Sequence, residues 1–297
     1  MDIEIVAEGL GFAEGPVEMP NGDIVTVDVR GGRIMRSQAD GSTREIASPG
    51  GGPNGAAIGP DGALYVVNNG GFPWSERSGL LIPVDENGST RPPNFEGGWV
   101  DRIDPETGDI NRLFDGLDGE RFLGPNDIVF DQSGGFWFTD LGKSDSRSMD
   151  RGSLFYARPD RTGLRRVASN LTGPNGVGLS PDGSIVYVAE TNTGRLLAWD
   201  VAGPGEVSGS PKIMMATPNH FDSLAVEADG TVVVAAISHG ICVLRPNGQI
   251  DYVEVPDVMT TNVCFAGDDM QSAYITMSAS GRLGKVRWPR PGLRLAF

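Results

Sequence analysis

The sequence predicts an all-β fold: one six-bladed β-propeller of four-stranded antiparallel blades, a single domain over residues 1–297 with its ring closed by the N-terminal strand. Three observations predict it. The chain of 297 residues contains 43 Gly and 21 Pro, a turn-rich composition without collagen-like period, and its 39% hydrophobic content is too high for disorder. A turn signal followed by a β-branched or aromatic run recurs six times. Each recurrence is preceded, at one fixed register, by a residue with a side-chain oxygen.

The repeats justify the blades in order. Asn21-Gly22-Asp23 leads into residues 24–28, Pro60-Asp61-Gly62 into 63–67, and Gln132-Ser133-Gly134-Gly135 into 136–140. Pro181-Asp182-Gly183 leads into 184–188, Ala228-Asp229-Gly230 into 231–234, and Asp268-Asp269-Met270 into 273–276. Each turn reads as a hairpin between the two inner strands of a blade. Further strands follow, such as residues 194–200 and 240–244. Several of the turn-to-turn spacings fall at about 40 to 50 residues, the range of propeller blades. Residues 283–288 read as the third strand of blade six. The lone N-terminal run 3–6 supplies its fourth, because an open ring would leave unpaired edge groups.

Composition narrows the function. A formal charge of −15 and a pI near 4.5 argue against nucleic acid and anionic membranes as partners. The start of the chain shows no basic and apolar leader, and no stretch of about 18 apolar residues occurs, so a cytoplasmic protein is expected. Its expected state is a monomer or a small homo-oligomer. Cys242 and Cys264 lie in apolar runs and read as free thiols rather than a disulfide framework.

The fixed register carries the chemistry. The residue eight positions before the turn Gly is Glu14, Asn54, Asn126, Asn175 and Asp222 in blades one to five, and Asn262 holds the place in blade six. These side chains should converge at one end of the axis, where the innermost strands begin. Two acids and several amides without thiolates form a hard oxygen set suited to Ca²⁺, with Mg²⁺, Mn²⁺ or Zn²⁺ as other divalent occupants. Water or substrate would complete the shell. Two acids in a narrow channel would repel each other unless a cation lay between them.

Glu14-Gly15-Pro16, Pro125-Asn126-Asp127-Ile128-Val129-Phe130-Asp131, Pro174-Asn175-Gly176 and Phe221-Asp222-Ser223-Leu224-Ala225-Val226 resemble the senescence-marker-protein/gluconolactonase/luciferin-regenerating-enzyme family over the whole chain. The resemblance implies a Ca²⁺-type cation held by Glu14, Asn175 and Asp222. Asn126 would act as a further ligand or as a substrate contact, and the reaction would be hydrolysis of a lactone. Some sugar-lactone members carry Arg two residues before the blade-three Asn; here the place is Gly124, which puts a sugar-acid substrate in doubt.

Loops between the second and third strands should rim the site. The blade-two loop, residues 69–98, carries Phe72, Trp74, Arg77, Arg91 and Phe95 and reads as a partial lid. The blade-three loop, residues 142–152, carries Lys143, Arg147 and Arg151, a set suited to attracting an anionic product. His220 and His239 fall near the same rim. Together with Asn54, Asn262, Phe72 and Trp74, His220 is a candidate rim or substrate contact. No Gly-x-Ser-x-Gly elbow or phosphate-cradling loop occurs. Residues 104–109 read as a hairpin turn rather than a Ca²⁺ loop.

The leading expectation is a metal-dependent hydrolase in which Asp222 is the general base, Asp127 and His239 are reserves for that role, and Asn126 orients the lactone. A phosphotriesterase like diisopropyl-fluorophosphatase and a non-catalytic Ca²⁺-binding or ligand-binding propeller are the alternatives.

Overall fold

The computed structural model describes residues 1–297 and is built from strands and turns, with no helix. Six four-stranded antiparallel sheets follow one another along the chain. Blade one comprises Ala13–Glu18, Ile24–Asp28, Arg33–Ser37 and Thr43–Ala47. Blade two comprises Pro53–Ile58, Leu64–Asn68, Trp99–Ile103 and Ile110–Phe114. Blade three comprises Pro125–Phe130, Phe136–Asp140, Gly152–Ala157 and Arg165–Leu171. Blade four comprises Pro174–Leu179, Ile185–Glu190, Arg195–Gly203 and Glu206–Ala216. Blade five comprises His220–Val226, Val232–Ile237, Gly240–Leu244 and Ile250–Val253. Blade six takes Thr260–Ala266, Ser272–Met277 and Arg282–Arg287 from the C-terminal end of the chain.

Its fourth strand is Glu4–Ala7, which pairs antiparallel with Arg282–Arg287 through Glu4 opposite Lys285. The two ends of the chain thus share one sheet and close the ring. The innermost strand of each blade packs on those of its two neighbours, the first touching the sixth.

Alternation along the strands explains where the core lies. Both faces of a blade are covered by the next blade, so the second strands Leu64–Asn68 and Phe136–Asp140 are buried throughout. Between blades two and three, Tyr65, Phe122, Phe130, Phe136, Phe138 and Phe155 form one aromatic cluster. Phe138 and Phe155 stack with centroids 5.1 Å apart. Each such side chain contributes roughly 1.5–3 kcal/mol of burial. Cys242 and Cys264 are free thiols. No helix is long and apolar enough to cross a membrane.

The C-terminal segment runs under the end of the channel where the innermost strands finish. Leu293 N–H donates to the Val226 carbonyl at 2.8 Å, and the Phe297 ring meets Phe130 at 5.9 Å. Above it lies a cavity of about 730 Å³ lined by Val17, Ile128, Leu179, Val226, Phe265 and Leu293.

Candidate active site

The site lies at the other end, where the innermost strands begin. Glu14, Asn54, Asn126, Asn175, Asp222 and Asn262 are all buried, from 2% exposed for Glu14 to 8% for Asp222. Six buried polar side chains from six blades therefore ring one end of the axis. A β-bulge in every innermost strand aims them there. The pairing slips between Pro53 and Ala56, Pro125 and Ile128, Pro174 and Val177, and Phe221 and Leu224, leaving Asn54, Asn126, Asn175 and Asp222 inside the bulges. Glu14 and Asn262 sit at the edges of the corresponding slips in blades one and six. A bulge frees a residue from the ladder and redirects its side chain.

Small residues let the bulged strands close up. A Cβ at Gly55 would lie 2.7 Å from the Asn126 carbonyl oxygen, and one at Gly176 would lie 2.7 Å from Leu224 N. Only glycine fits where backbones approach this closely.

The hydrogen bonds divide the ring into held and free groups. Glu14 Oε2 accepts from Asn262 Nδ2 and from Gly15 N–H, both at 2.8 Å, while Asn262 Oδ1 accepts from Val263 N–H. Asn262 is thereby committed to Glu14 and to its own backbone, so it supports the acid from behind. Asn175 Nδ2 donates to Thr191 Oγ1 at 3.1 Å. The side-chain oxygens of Asn126 and Asn175 are buried with no donor. Such acceptors are costly to bury unless something else meets them.

The electrostatics are those of acids crowded away from water. Burial raises Glu14, against the pull of the Asn262 and Gly15 hydrogen bonds. Burial, then the charge of Glu14, raises Asp222 well above the usual carboxylate range. Asp127 is pushed up to about 7, mainly by burial, with the charge of Glu14 adding to it. Its carboxylate accepts from Ile128 N–H at 2.9 Å and Val177 N–H at 3.1 Å, so it pins blade three to blade four. Of Asp127 and the six ring residues, Asp127 and Asn262 also border the lower cavity. No three His, Cys, Asp or Glu side chains group as metal ligands. Four of the six ring residues are asparagines, whose amide oxygens lie outside such a grouping.

The histidines stand at the rim, exposed. His220 Nδ1 lies 3.1 Å from the Thr191 carbonyl, and His239 Nδ1 lies 3.1 Å from the Ile237 carbonyl. Neither hydrogen-bonds the buried acids.

The blade-two loop reaches from blade six to blade three. It contains a short hairpin, Ser75–Arg77 with Leu80–Ile82, absent from the sequence reading. Leu81 N–H donates to Ala279 of blade six at 3.1 Å, and Thr90 N–H donates to Ser144 of blade three at 2.8 Å. The expectation for Lys143 is corrected. It is 2% exposed and points into the loop, donating to the Gly71 carbonyl at 2.7 Å, so it is no exposed lure for anions. Burial lowers its pKa well below that of an ordinary lysine, with Asp140 pulling the other way. Arg147 and Arg151 are the exposed cations of this loop; neither makes an ion pair, and Arg151 donates to Thr172 Oγ1 at 2.6 Å.

A second register escaped the sequence reading. Asp28, Asn68, Asp140 and Glu190 end the second strands of blades one to four and accept from Phe12, Gly52, Leu123 and Thr172 N–H at 2.7–3.1 Å. These bonds hold the segments that lead into Glu14, Asn54, Asn126 and Asn175. The signal was present: Asp28, Asn68 and Asp140 each follow the ring residue of their blade by 14 positions, and Glu190 follows by 15.

Fold and site together define a six-bladed propeller with a ring of buried acids and amides at one end of its axis. The family described as SMP-30/Gluconolactonase/LRE-like region matches residues 12–279, and the chain belongs to it. It is 27% identical over 317 residues to the gluconolactonase of Zymomonas mobilis, covering 96% of this chain and 81% of the relative. It is 29% identical over 246 residues to lactonase drp35 of Staphylococcus haemolyticus, covering 80% and 67%. Among solved structures, the Xanthomonas campestris gluconolactonase superposes with a TM-score of 0.76 at 21% identity over 97% of this chain and 89% of that one. Regucalcin of Agrobacterium tumefaciens, described as a calcium-binding protein, gives 0.71 at 18% identity over 99% and 98%. The last two likenesses are of fold.

Proposed function

We propose that the protein is a metal-dependent hydrolase that opens a lactone. The observation that carries the reading is the pairing of two buried acids, Glu14 and Asp222, with the donorless amide oxygens of Asn126 and Asn175. Those four residues fit a divalent cation of the Ca²⁺ type: the oxygens are hard, and the two amide oxygens otherwise have no partner. The family and the gluconolactonase and lactonase relatives support lactone as the substrate class.

When bound, such a cation supplies Lewis acidity toward a carbonyl oxygen and offsets the two acids. The chain's own residues do the rest. Asp222 takes the proton of the attacking water. Asn126 orients the lactone. Asn262 and the Gly15 amide hold Glu14 in place. Asp127 is engaged by two backbone amides and stays in reserve as a base, as does His239 at the rim. His220, Asn54, Phe72 and Trp74 complete the proposed substrate surroundings.

The test is a panel of lactones and phosphotriesters with EDTA-treated protein to which Ca²⁺, Mg²⁺, Mn²⁺ or Zn²⁺ is returned. Lactone turnover should vanish on chelation and return with a divalent cation. Asp222→Ala should lose about 100-fold or more in kcat. Turnover that survives chelation, or full activity in Asp222→Ala, defeats the assignment. Turnover of phosphotriesters alone replaces the substrate class.

A further inference from the structure

Lys143 is a buried amine that the reaction above does not use. Its Nζ donates to the Gly71 carbonyl at 2.7 Å, lies 3.4 Å from Asn69 Oδ1, and sits over the Phe72 ring at 3.8 Å. Those are three acceptors for the three protons of an ammonium. All three belong to the blade-two loop, whereas Lys143 belongs to blade three.

Phe72 begins a row of rings. Its centroid lies 6.1 Å from that of Trp74, and Trp74 lies 5.1 Å from Phe12. Phe12 is buried and precedes Glu14 by two residues. The row therefore runs from the blade-three loop to the strand that carries Glu14. Its near end also rests beside the blade-two innermost strand, since Asn69 N–H donates to the Gly52 carbonyl at 2.8 Å. Phe95 extends the anchor, with Lys143 and Arg91 each 5.3 Å from its ring centre, and Arg91 pairs with Asp150 at 2.6 Å.

We propose that Lys143 is a positioning residue for substrate binding: its buried amino group, through Gly71, Asn69 and the Phe72 ring, pins Phe72 and Trp74 in place against Phe12. Phe72 and Trp74, half-buried and backed by the buried Phe12, then grip the part of the lactone that lies outside the reacting ring, and favour apolar substituents there. This rests on the lactonase reading for its substrate, and on the contacts alone for the latch.

Two readouts test it on the full chain. The first is hydrogen exchange, which needs no activity. In Lys143→Met, which keeps the packing and removes the amino group, amides near Gly70–Phe72 should exchange about tenfold faster or more, while blade five is unchanged. The second is kinetics. For lactones with bulky apolar substituents, KM should rise about tenfold with kcat held within about threefold; for small unsubstituted rings both should hold. Lys143→Arg should restore KM. In a Phe72→Leu background the Lys143→Met effect should largely disappear, because the ring through which it acts is gone. Exchange unchanged in Lys143→Met overturns the latch. Faster exchange with KM raised equally for all lactones, or with a fall in kcat alone, overturns the positioning role. A wild type inactive on every lactone overturns the functional reading and the positioning role, and leaves the latch to be decided by exchange.

Discussion

At the scale of single residues, burial sets the chemistry. Glu14 and Asp222 lie 208 positions apart in the chain, yet the charge of one raises the proton affinity of the other. Nothing in either residue's neighbours along the chain announces that. The shared register does, because the same position in each repeat must occupy the same place in each blade. Asp140 offers a cleaner titration, lying in the second register outside the proposed cation ligands. Burial pushes it up to about 6, against backbone hydrogen bonds that favour the carboxylate. A carboxyl with a raised native pKa holds its proton more tightly folded than unfolded, so the protein gains stability as pH falls from above 6 toward 3.8. The stability of the wild type relative to Asp140→Asn should therefore rise between pH 7 and pH 4, by about 2 kcal/mol for a shift from 3.8 to about 6. Urea unfolding of both proteins across that range checks it, and a flat difference would show that Asp140 ionises as it does in water.

At the scale of the element, the bulge is the device that makes a pocket from a strand. An unbulged strand would send alternate side chains into the interblade core. The slip at each innermost strand turns Asn54, Asn126, Asn175 and Asp222 toward the axis instead. Bulges were invisible to the periodicity of hydrophobic residues, although the Gly that follows Glu14, Asn54 and Asn175 was a trace of them. Gly176→Ala puts a methyl 2.7 Å from Leu224 N and 2.8 Å from the Asp222 carbonyl oxygen. It should cost about 1–3 kcal/mol in denaturant unfolding by forcing blades four and five apart. The lid tells the converse story. Its length and aromatic content were legible, but its hairpin and its docking on blades six and three were not, because both depend on partners distant in sequence.

At the scale of the whole molecule, ring closure couples the termini. Glu4–Ala7 covers the outer edge of Arg282–Arg287, so deleting residues 1–7 exposes a strand edge. The truncated protein should unfold at lower denaturant and associate into larger species, read by size-exclusion chromatography. A monomer of unchanged stability would show that the closing strand is dispensable. The C-terminal segment beyond that sheet is a second piece of long-range structure. Its route beneath the channel to Phe130 had no local signal.

The sequence by itself determined the number of blades, the strand that closes the ring, and which six residues share the register, because each follows from a repeat read along the chain. The tertiary structure alone decided which of those residues keep a free oxygen, how the acids are tied back, where Lys143 points, and what covers each end of the channel. The physical reason is the same throughout: periodicity is a property of neighbours in sequence, whereas desolvation, bulge geometry and hydrogen-bond partnership are properties of neighbours in space.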